Sequence, residues 1–309
     1  MTKVALLINE TAGRGRFSAH GRQAVAEFQR LGIDVAVPEV SSAAELAAVS
    51  RDLVAAGYDA IVAVGGDGTV SQVANAVART GVGLGIIPVG TGNDAARFFG
   101  IAIDDVPTVV ARIVAALRAA PRLIDLVEVT PGGADPTGHG KSQFYLGVAS
   151  AGLDAVINAR SNAMLRPKGP LRYVIAAITE ILRFQPYGYQ LEFNGKRVQL
   201  RGTLVSAANL PYVGGGMKLI PGAEPEDGLL DLFYAPQVSR FTIIRLFARI
   251  FRGTHMRHPA ISVVRTSVVD ITHSSAHGAA VPVLFADGEP LATVPVRLEV
   301  ARGALRILA

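Results

Sequence analysis

Hydrophobic and polar positions follow one grammar in the first third of the chain and another beyond it. From Lys3 to Ile8 the chain is almost continuously apolar, which predicts a strand buried on both faces. Gly21, Ala24, Val25, Phe28 and Leu31 then recur at helical spacing until Gly32 stops the helix. Ile33 to Val37 reads as a second strand. Ser41 and Ser42 offer an N-cap to a helix with Leu46, Val49 and Leu53 on one face and Gly57 at its stop. Asp59 to Val64 is a third strand, and Val70, Val73, Ala74 and Val77 mark the next helix. Leu84 to Val89 is a fourth strand, leading through a turn to a short helix near Asp94 to Phe99. Strand and helix in alternation predict a parallel sheet with helices on both faces.

From about Leu123 strands dominate. Leu123 to Val129 and Gln143 to Ala149 read as strands around a polar loop, Pro131 to Lys141. Asn194-Gly195 and Asp287-Gly288 are hairpin turn signals. Val294, Val296, Leu298 and Val300 alternate with Arg297 and Glu299, the pattern of a half-buried strand. Two helical stretches, Leu171 to Phe184 and Phe241 to Arg252, interrupt this region. The expectation is an α/β domain over 1–122 and a mainly antiparallel β domain with inserted helices over 123–309. The final segment is free to return to the first domain.

Composition narrows the chemistry. The 309 residues contain no cysteine, which excludes a disulfide scaffold, a thiolate zinc site and a catalytic thiol. Charged residues make up only 18% of the chain, so a disordered polyelectrolyte is excluded. The net charge of +5 suits phosphate-bearing ligands or an anionic membrane surface. Mean hydropathy is high at +0.36, yet no uninterrupted apolar stretch reaches the roughly 18 residues of a membrane span. With a strand beginning at Lys3 and no leader before it, the expected location is the cytoplasm, with peripheral contact at the inner membrane face.

Three glycine-bearing turns directly follow parallel strands, where backbone N–H groups and helix N-termini meet phosphate oxygens. The first is Asn9 to Arg16, in which Arg14 or Arg16 could clamp a phosphate. The second, Gly65-Gly66-Asp67-Gly68-Thr69, carries more glycine than a short turn needs, and Asp67 could serve a metal or a proton. The third, Pro88 to Ala95, also fits the dinucleotide pattern G-x-G-x-x-A, but it follows the fourth strand and places Asp94 where pyrophosphate charge would lie. Gly140-Lys141-Ser142 resembles the end of a P-loop in the wrong context and is set aside.

The runs DAIVAVGGDGTVSQVANAV at 59–77 and LGIIPVGTGNDAARFFGI at 84–101 resemble the diacylglycerol kinase catalytic domain. More narrowly, the chain is similar to the bacterial soluble lipid kinases of the YegS type. FYLGVASAGLD at 144–154, GGGMKLIPGAEPEDGLLD at 214–231 and FADGE at 285–289 continue the likeness in the same order, so it spans essentially the whole chain. The resemblance implies a nucleotide-binding α/β domain, a C-terminal β-sandwich domain and an active site in the cleft between them. There the γ-phosphoryl of ATP would pass to a lipid hydroxyl with magnesium. It implies nucleotide contacts from Asn9, Gly13, Arg14, Ser41, the turn Gly65, Gly66, Asp67, Gly68, Thr69 and Gln72, and from Thr91 and Asn93. A structural magnesium would map to Asp227 and the backbones of Glu224 and Leu229. Asp125 matches an aspartate of a metal–water network. Ser71-Gln72 stands where the family usually has Asn-Glu, and Glu10 replaces a common proline.

An aliphatic hydroxyl is too weak an acid to ionise before attack, so a base must be close as the bond forms. Asp67, Asp125, Asp287 and Glu289 are the carboxylates available for metal or hydroxyl. The resemblance favours Glu289 as base, with Asp67, set among the phosphates, as the other candidate. The plainer reading of 283–290 is a hairpin in which Asp287 merely serves the turn. On the 241–252 helix, Phe241, Ile244, Phe247 and Phe251 share a side, and Arg245, Arg249 and Arg252 suit an anionic bilayer. The expected partners are ATP, a lipid and that membrane, without nucleic acid; a homodimer is compatible with the sequence. The alternatives are an NAD kinase-like phosphotransferase, a Rossmann-type NAD(P)-binding oxidoreductase using Gly90 to Gly92, and a non-catalytic nucleotide-binding regulator.

Overall fold

The structure, a computed structural model, describes residues 2–8, 16–132, 143–164, 166–167 and 170–309. Contacts divide the chain into two units: Met1–Leu126 with Ala301–Ala309, and Val127–Val300.

Unit 1 runs β1 (Val4–Ile8), α1 (Arg16–Arg30), β2 (Val35–Ala36), α2 (Ala43–Ala55), β3 (Ala60–Gly65), α3 (Asp67–Val77), β4 (Gly83–Pro88), α4 (Asp94–Phe98) and α5 (Val106–Arg118). The strands lie in the order β2-β1-β3-β4, all parallel. Both β3 and β4 are buried at every position, which is why they read as unbroken apolar runs. Helix α1 packs with α5, and α2 with α3. The second strand shrinks to two residues at the sheet edge, beside exposed Asp34. Helix α5, which the sequence reading did not delimit, starts where the Asp105 carboxylate accepts the Thr108 N–H at 3.2 Å.

In unit 2 the elements are β5 (Arg122–Pro131, entering from unit 1), β6 (Gln143–Tyr145), β7 (Val148–Gly152), α6 (Leu153–Ala163), α7 (Pro170–Arg183), β8 (Tyr187–Phe193), β9 (Lys196–Ala208), β10 (Tyr212–Val213), β11 (Met217–Lys218), β12 (Leu230–Pro236), α8 (Arg240–Ile250), β13 (Ser262–Thr266), β14 (Val268–His273), β15 (Leu284–Ala286), β16 (Glu289–Ala292) and β17 (Val296–Ile307). Strands run β16-β15-β7-β9-β8-β14-β17, with β12 and β13 branching from β9. All the pairs along this path are antiparallel. The far end of β17 returns to unit 1, where Arg306 and Ile307 pair parallel with Gly83 and Leu84 of β4.

The core of unit 2 is built on inward-facing apolar residues and two fully buried tyrosines. Each tyrosine hydroxyl is satisfied: Tyr145 donates to the Ala207 carbonyl at 3.0 Å and Tyr189 to that of Ala151 at 2.7 Å. The turns Asn194-Gly195 and Asp287-Gly288 form with φ of +48° and +70°, and +50° and +89°, as two-residue hairpins require. Among the described residues no helix is long and apolar enough to cross a membrane.

Candidate functional site

In unit 1 the second and third glycine turns meet backbone to backbone. A methyl group placed on Gly90 would lie 2.5 Å from the Gly66 Cα, and one on Gly66 would lie 3.2 Å from the Gly90 Cα. A methyl on Gly65 would meet the Thr69 hydroxyl at 2.5 Å. These glycines are therefore required by close approach. Gly66 is the N-cap of α3 and has no side chain to close its first turn, so that end of the helix is open to an anion.

The Asp67 carboxylate is directed to the neighbouring turn. Its Oδ1 accepts the N–H of Asp94 at 2.7 Å and that of Ala95 at 3.4 Å, closing the start of α4 and locking the two turns together. Asn93, buried at φ +52°, donates from Nδ2 to the Gly90 carbonyl at 2.7 Å. The Asn93 Oδ1 and the Gln72 Oε1 are buried and lack a partner among the described residues. Thr91 is exposed, and Gly68 half-buried. The Ser41 hydroxyl donates to Glu45 Oε2 at 2.6 Å, a local cap of α2. Asp125 is buried and accepts the Gly303 N–H at 2.8 Å. Asn9, Gly13 and Arg14 lie outside the described residues.

In unit 2 the two carboxylates of the 285–289 segment have different tasks. Asp287 accepts three backbone N–H groups: Leu146 at 3.0 Å on Oδ2, and Gly147 at 2.9 Å and Val148 at 3.2 Å on Oδ1. This clamp interrupts the strand expected over Gln143 to Ala149, splitting it into β6 and β7. The Glu289 carboxylate, two residues on, makes no hydrogen bond with any described residue, although its backbone pairs with Ala286. The residue is exposed at the surface, yet desolvation by its surroundings raises its carboxyl above the ordinary range.

At the acidic turn, the Asp227 Oδ1 accepts the Leu229 N–H at 2.8 Å, and its other oxygen pairs with the Arg265 guanidinium. Among the described residues no group of three or more His, Asp or Glu could hold a metal. The Asp227 carboxylate of the turn with Glu224 and Leu229 is thus paired with a side-chain cation.

The 241–252 helix is amphipathic in a way the sequence reading placed only in part. Phe241, Ile244 and Phe251 are exposed, whereas Phe247 turns inward and stacks on Tyr173 with centroids 6.4 Å apart. Helix α7 adds a second exposed apolar face: Leu171, Val174, Ile175, Ile178 and Leu182. Sequence reasoning also missed Asp154, which burial raises from 3.8 to about 6. Its signal was a lone acid in an otherwise apolar stretch.

The family described as Diacylglycerol kinase catalytic domain matches residues 3–129. That described as YegS C-terminal NAD kinase beta sandwich-like domain matches residues 147–309. The chain is 34% identical over 309 residues to the diacylglycerol kinase of Mycobacterium tuberculosis (strain ATCC 25618 / H37Rv), covering 99% of this chain and 94% of that protein. It is 27% identical over 282 residues to the diacylglycerol kinase of Bacillus subtilis (strain 168), covering 89% and 87%. The crystal structure of a diacylglycerol kinase from Bacillus anthracis str. Sterne shares the fold, with a TM-score of 0.69 at 18% identity, covering 99% of this chain and 96% of that one. The chain belongs to the diacylglycerol kinase family, with the α/β and β-sandwich domains that the sequence led us to expect.

Proposed function

We propose that this member of the lipid kinase family uses ATP, as its magnesium complex, and phosphorylates diacylglycerol to phosphatidic acid. The observation that carries ATP use is the pair of interlocked glycine turns at the open N-terminus of α3. Phosphoryl transfer depends on positioning and charge neutralisation more than on covalent chemistry, and backbone N–H groups held at a helix start supply both. Diacylglycerol is the acceptor named for the mycobacterial and Bacillus subtilis relatives.

Residue roles follow from how each side chain is occupied. Asp67 spends its carboxylate on α4, so it holds the phosphate-binding turns in register. Asp287 spends its own on the 146–148 backbone and fixes the hairpin that presents Glu289. Glu289, with an uncommitted carboxylate whose pKa desolvation raises, is the base. It takes the proton of the lipid hydroxyl as the oxygen bonds to the γ-phosphorus and ADP departs. The test is label transfer from γ-labelled ATP to a panel of lipids, separated by chromatography. Label in the diacylglycerol product supports the reading; label in NAD, or in no lipid, removes it.

The enzyme reaches its substrate at an anionic bilayer. Eight of the eleven exposed large hydrophobic residues described lie on α7 or on α8 and its end. Exposed Arg245 and Arg249 accompany them, with the Arg245 guanidinium 5.9 Å from the Phe241 ring centre. Co-sedimentation with vesicles should rise with anionic lipid, fall with salt and weaken in the double variant Arg245→Gln, Arg249→Gln. Indifference to all three would refute this contact.

A further inference from the structure

The link between α7 and β8, Arg201 of β9 and the loop that follows β14 enclose a groove of about 770 Å³, counted out to its mouth. None of the groups given a role in phosphoryl transfer lines it. Its polar side chains are those of Gln185, Arg201, Ser275 and His277, and no carboxylate is among them.

The loop is seated without spare room. A methyl group on Gly188 would collide with the Ser274 carbonyl oxygen, and one on Gly278 would lie 2.7 Å from the Pro186 oxygen and 2.8 Å from the Gly188 nitrogen. Two glycines thus meet backbone to backbone, as Gly66 and Gly90 do. Hydrogen bonds of 3.0 Å pin the loop down: the Ser274 N–H donates to Gly188, the Gly188 N–H to Ala279 and the Ala279 N–H to Pro186. In the sheet, Gly188 lies opposite Arg201. Cross-strand partners project from the same face, so the Arg201 side chain rises beside the loop that covers Gly188.

The donors at this groove are uncommitted. The side chains of Gln185, Arg201 and Ser275 make no hydrogen bond or ion pair with any described residue. The His277 N–H closes a turn onto the Ser274 carbonyl at 3.0 Å, and the central N–H groups of that turn, on Ser275 and Ala276, have no acceptor among the described residues. The Ser274 hydroxyl lies 2.8 Å from His277 Nδ1. When that hydroxyl donates, the ring hydrogen sits on Nε2 and adds a further donor. A guanidinium fork beside successive backbone N–H groups matches the oxygens of a phosphate.

We propose that this groove binds a phosphate group through the Arg201 guanidinium, the Ser275 hydroxyl and N–H, and the His277 ring. An anionic phospholipid headgroup and a soluble phosphate ester share this chemistry. The position suits a headgroup. Gln185 follows exposed Leu182 by three residues, at most about 11 Å of chain, and the Arg240 guanidinium at the start of α8 donates to the Phe184 carbonyl at 3.2 Å. Only the headgroup source rests on the bilayer contact proposed above; the phosphate site itself is independent of that contact and of catalysis.

The chain has six histidines, so nitrogen-15 labelling of the imidazoles gives a small set of ring signals, and His277→Asn identifies that of His277. Inorganic phosphate and glycerol phosphate are titrated without nucleotide, against sodium chloride of equal ionic strength. Both should shift the His277 Nε2 resonance saturably, and chloride should not. Arg201→Gln should weaken binding about tenfold and Ser275→Ala about threefold. Arg201→Lys, which keeps the charge and loses the fork, should weaken it about threefold or more. The glycine turns of unit 1 are intact in all three variants, so phosphate bound there does not account for the change. Thermal melts check folding, and titration of the unaltered protein tests the proposal without any substitution. An unmoved His277 resonance, or a shift that Arg201→Gln leaves at full affinity, would overturn it. Co-sedimentation with phosphatidylcholine vesicles containing phosphatidylglycerol then identifies the source. A larger loss for Arg201→Gln than for Arg183→Gln, an exposed arginine outside the groove, supports a lipid headgroup. Equal losses beside a phosphate-shifted His277 support a soluble ester.

Discussion

Two carboxylates on one hairpin, Asp287 and Glu289, should separate stability from turnover. Replacing Asp287 by alanine leaves three N–H groups without the acceptor they now meet at 2.9–3.2 Å. Net hydrogen bonds to charged groups are worth about 1.5–3 kcal/mol each, and a half-buried cluster realises the lower end, so the loss is about 3–5 kcal/mol. Alanine also tolerates the φ of +50° poorly. At about 2–4 °C per kcal/mol for a domain of this size, the melting temperature should fall by roughly 10 °C. Asparagine accepts the left-handed backbone and keeps one oxygen for Gly147 and Val148, but turns an amide N–H toward that of Leu146. Its cost should be about 1–2 kcal/mol. Glu289→Gln removes no hydrogen bond and should leave the melting temperature within about 1 °C, yet reduce kcat by about 10²–10⁴-fold. The assays are thermal melts and initial rates on the same preparations, with ATP affinity measured by titration. An inactive Asp287→Asn with unchanged melting, beside an active Glu289→Gln, would refute this division of roles.

Other outcomes follow from the same geometry. Gly90→Ala should abolish ATP binding more completely than Gly66→Ala, because the added methyl meets backbone at 2.5 Å against 3.2 Å; equal, near-normal affinities in titration would contradict the interlocked turns. Because desolvation raises Glu289, and the base acts only when ionised, kcat should fall as pH drops through a value above the usual carboxylate range. Glu289→Gln should lose that limb of the profile, and its persistence would point to another base. With Arg265 closing the acidic turn, removing free magnesium with a chelator should leave the melting temperature unchanged, whereas Asp227→Ala should lower it equally with and without chelator. A metal-dependent melt that Asp227→Ala abolishes would restore a magnesium site.

Local chemistry made much of the architecture legible. The all-buried strands β3 and β4 announce themselves as apolar runs, and Asn194-Gly195 and Asp287-Gly288 form the hairpins their φ preferences predict. The glycine turns also stood out, because a backbone contact such as Gly66 against Gly90 tolerates no other residue. What stayed hidden depends on long-range partners. Nothing near Asp287 in sequence reveals the N–H donors it binds 139–141 residues away, nor that Asp67 would serve α4. Arg265 gave no hint that it would neutralise Asp227, since their meeting depends on the antiparallel register of β12 and β13. Phe247 shares a helical stripe with Phe241 and Ile244, and only packing against Tyr173 turns it inward.

The central claim is most directly tested by the stoichiometry of a single reaction. Purified protein, MgATP and diacylglycerol in mixed micelles should yield one ADP for each phosphatidic acid, both measured in the same sample. Neither product should form without lipid, and Glu289→Gln should suppress both while ATP still binds. ADP released without phosphorylated lipid, or phosphate found on NAD in place of the lipid, would contradict the account.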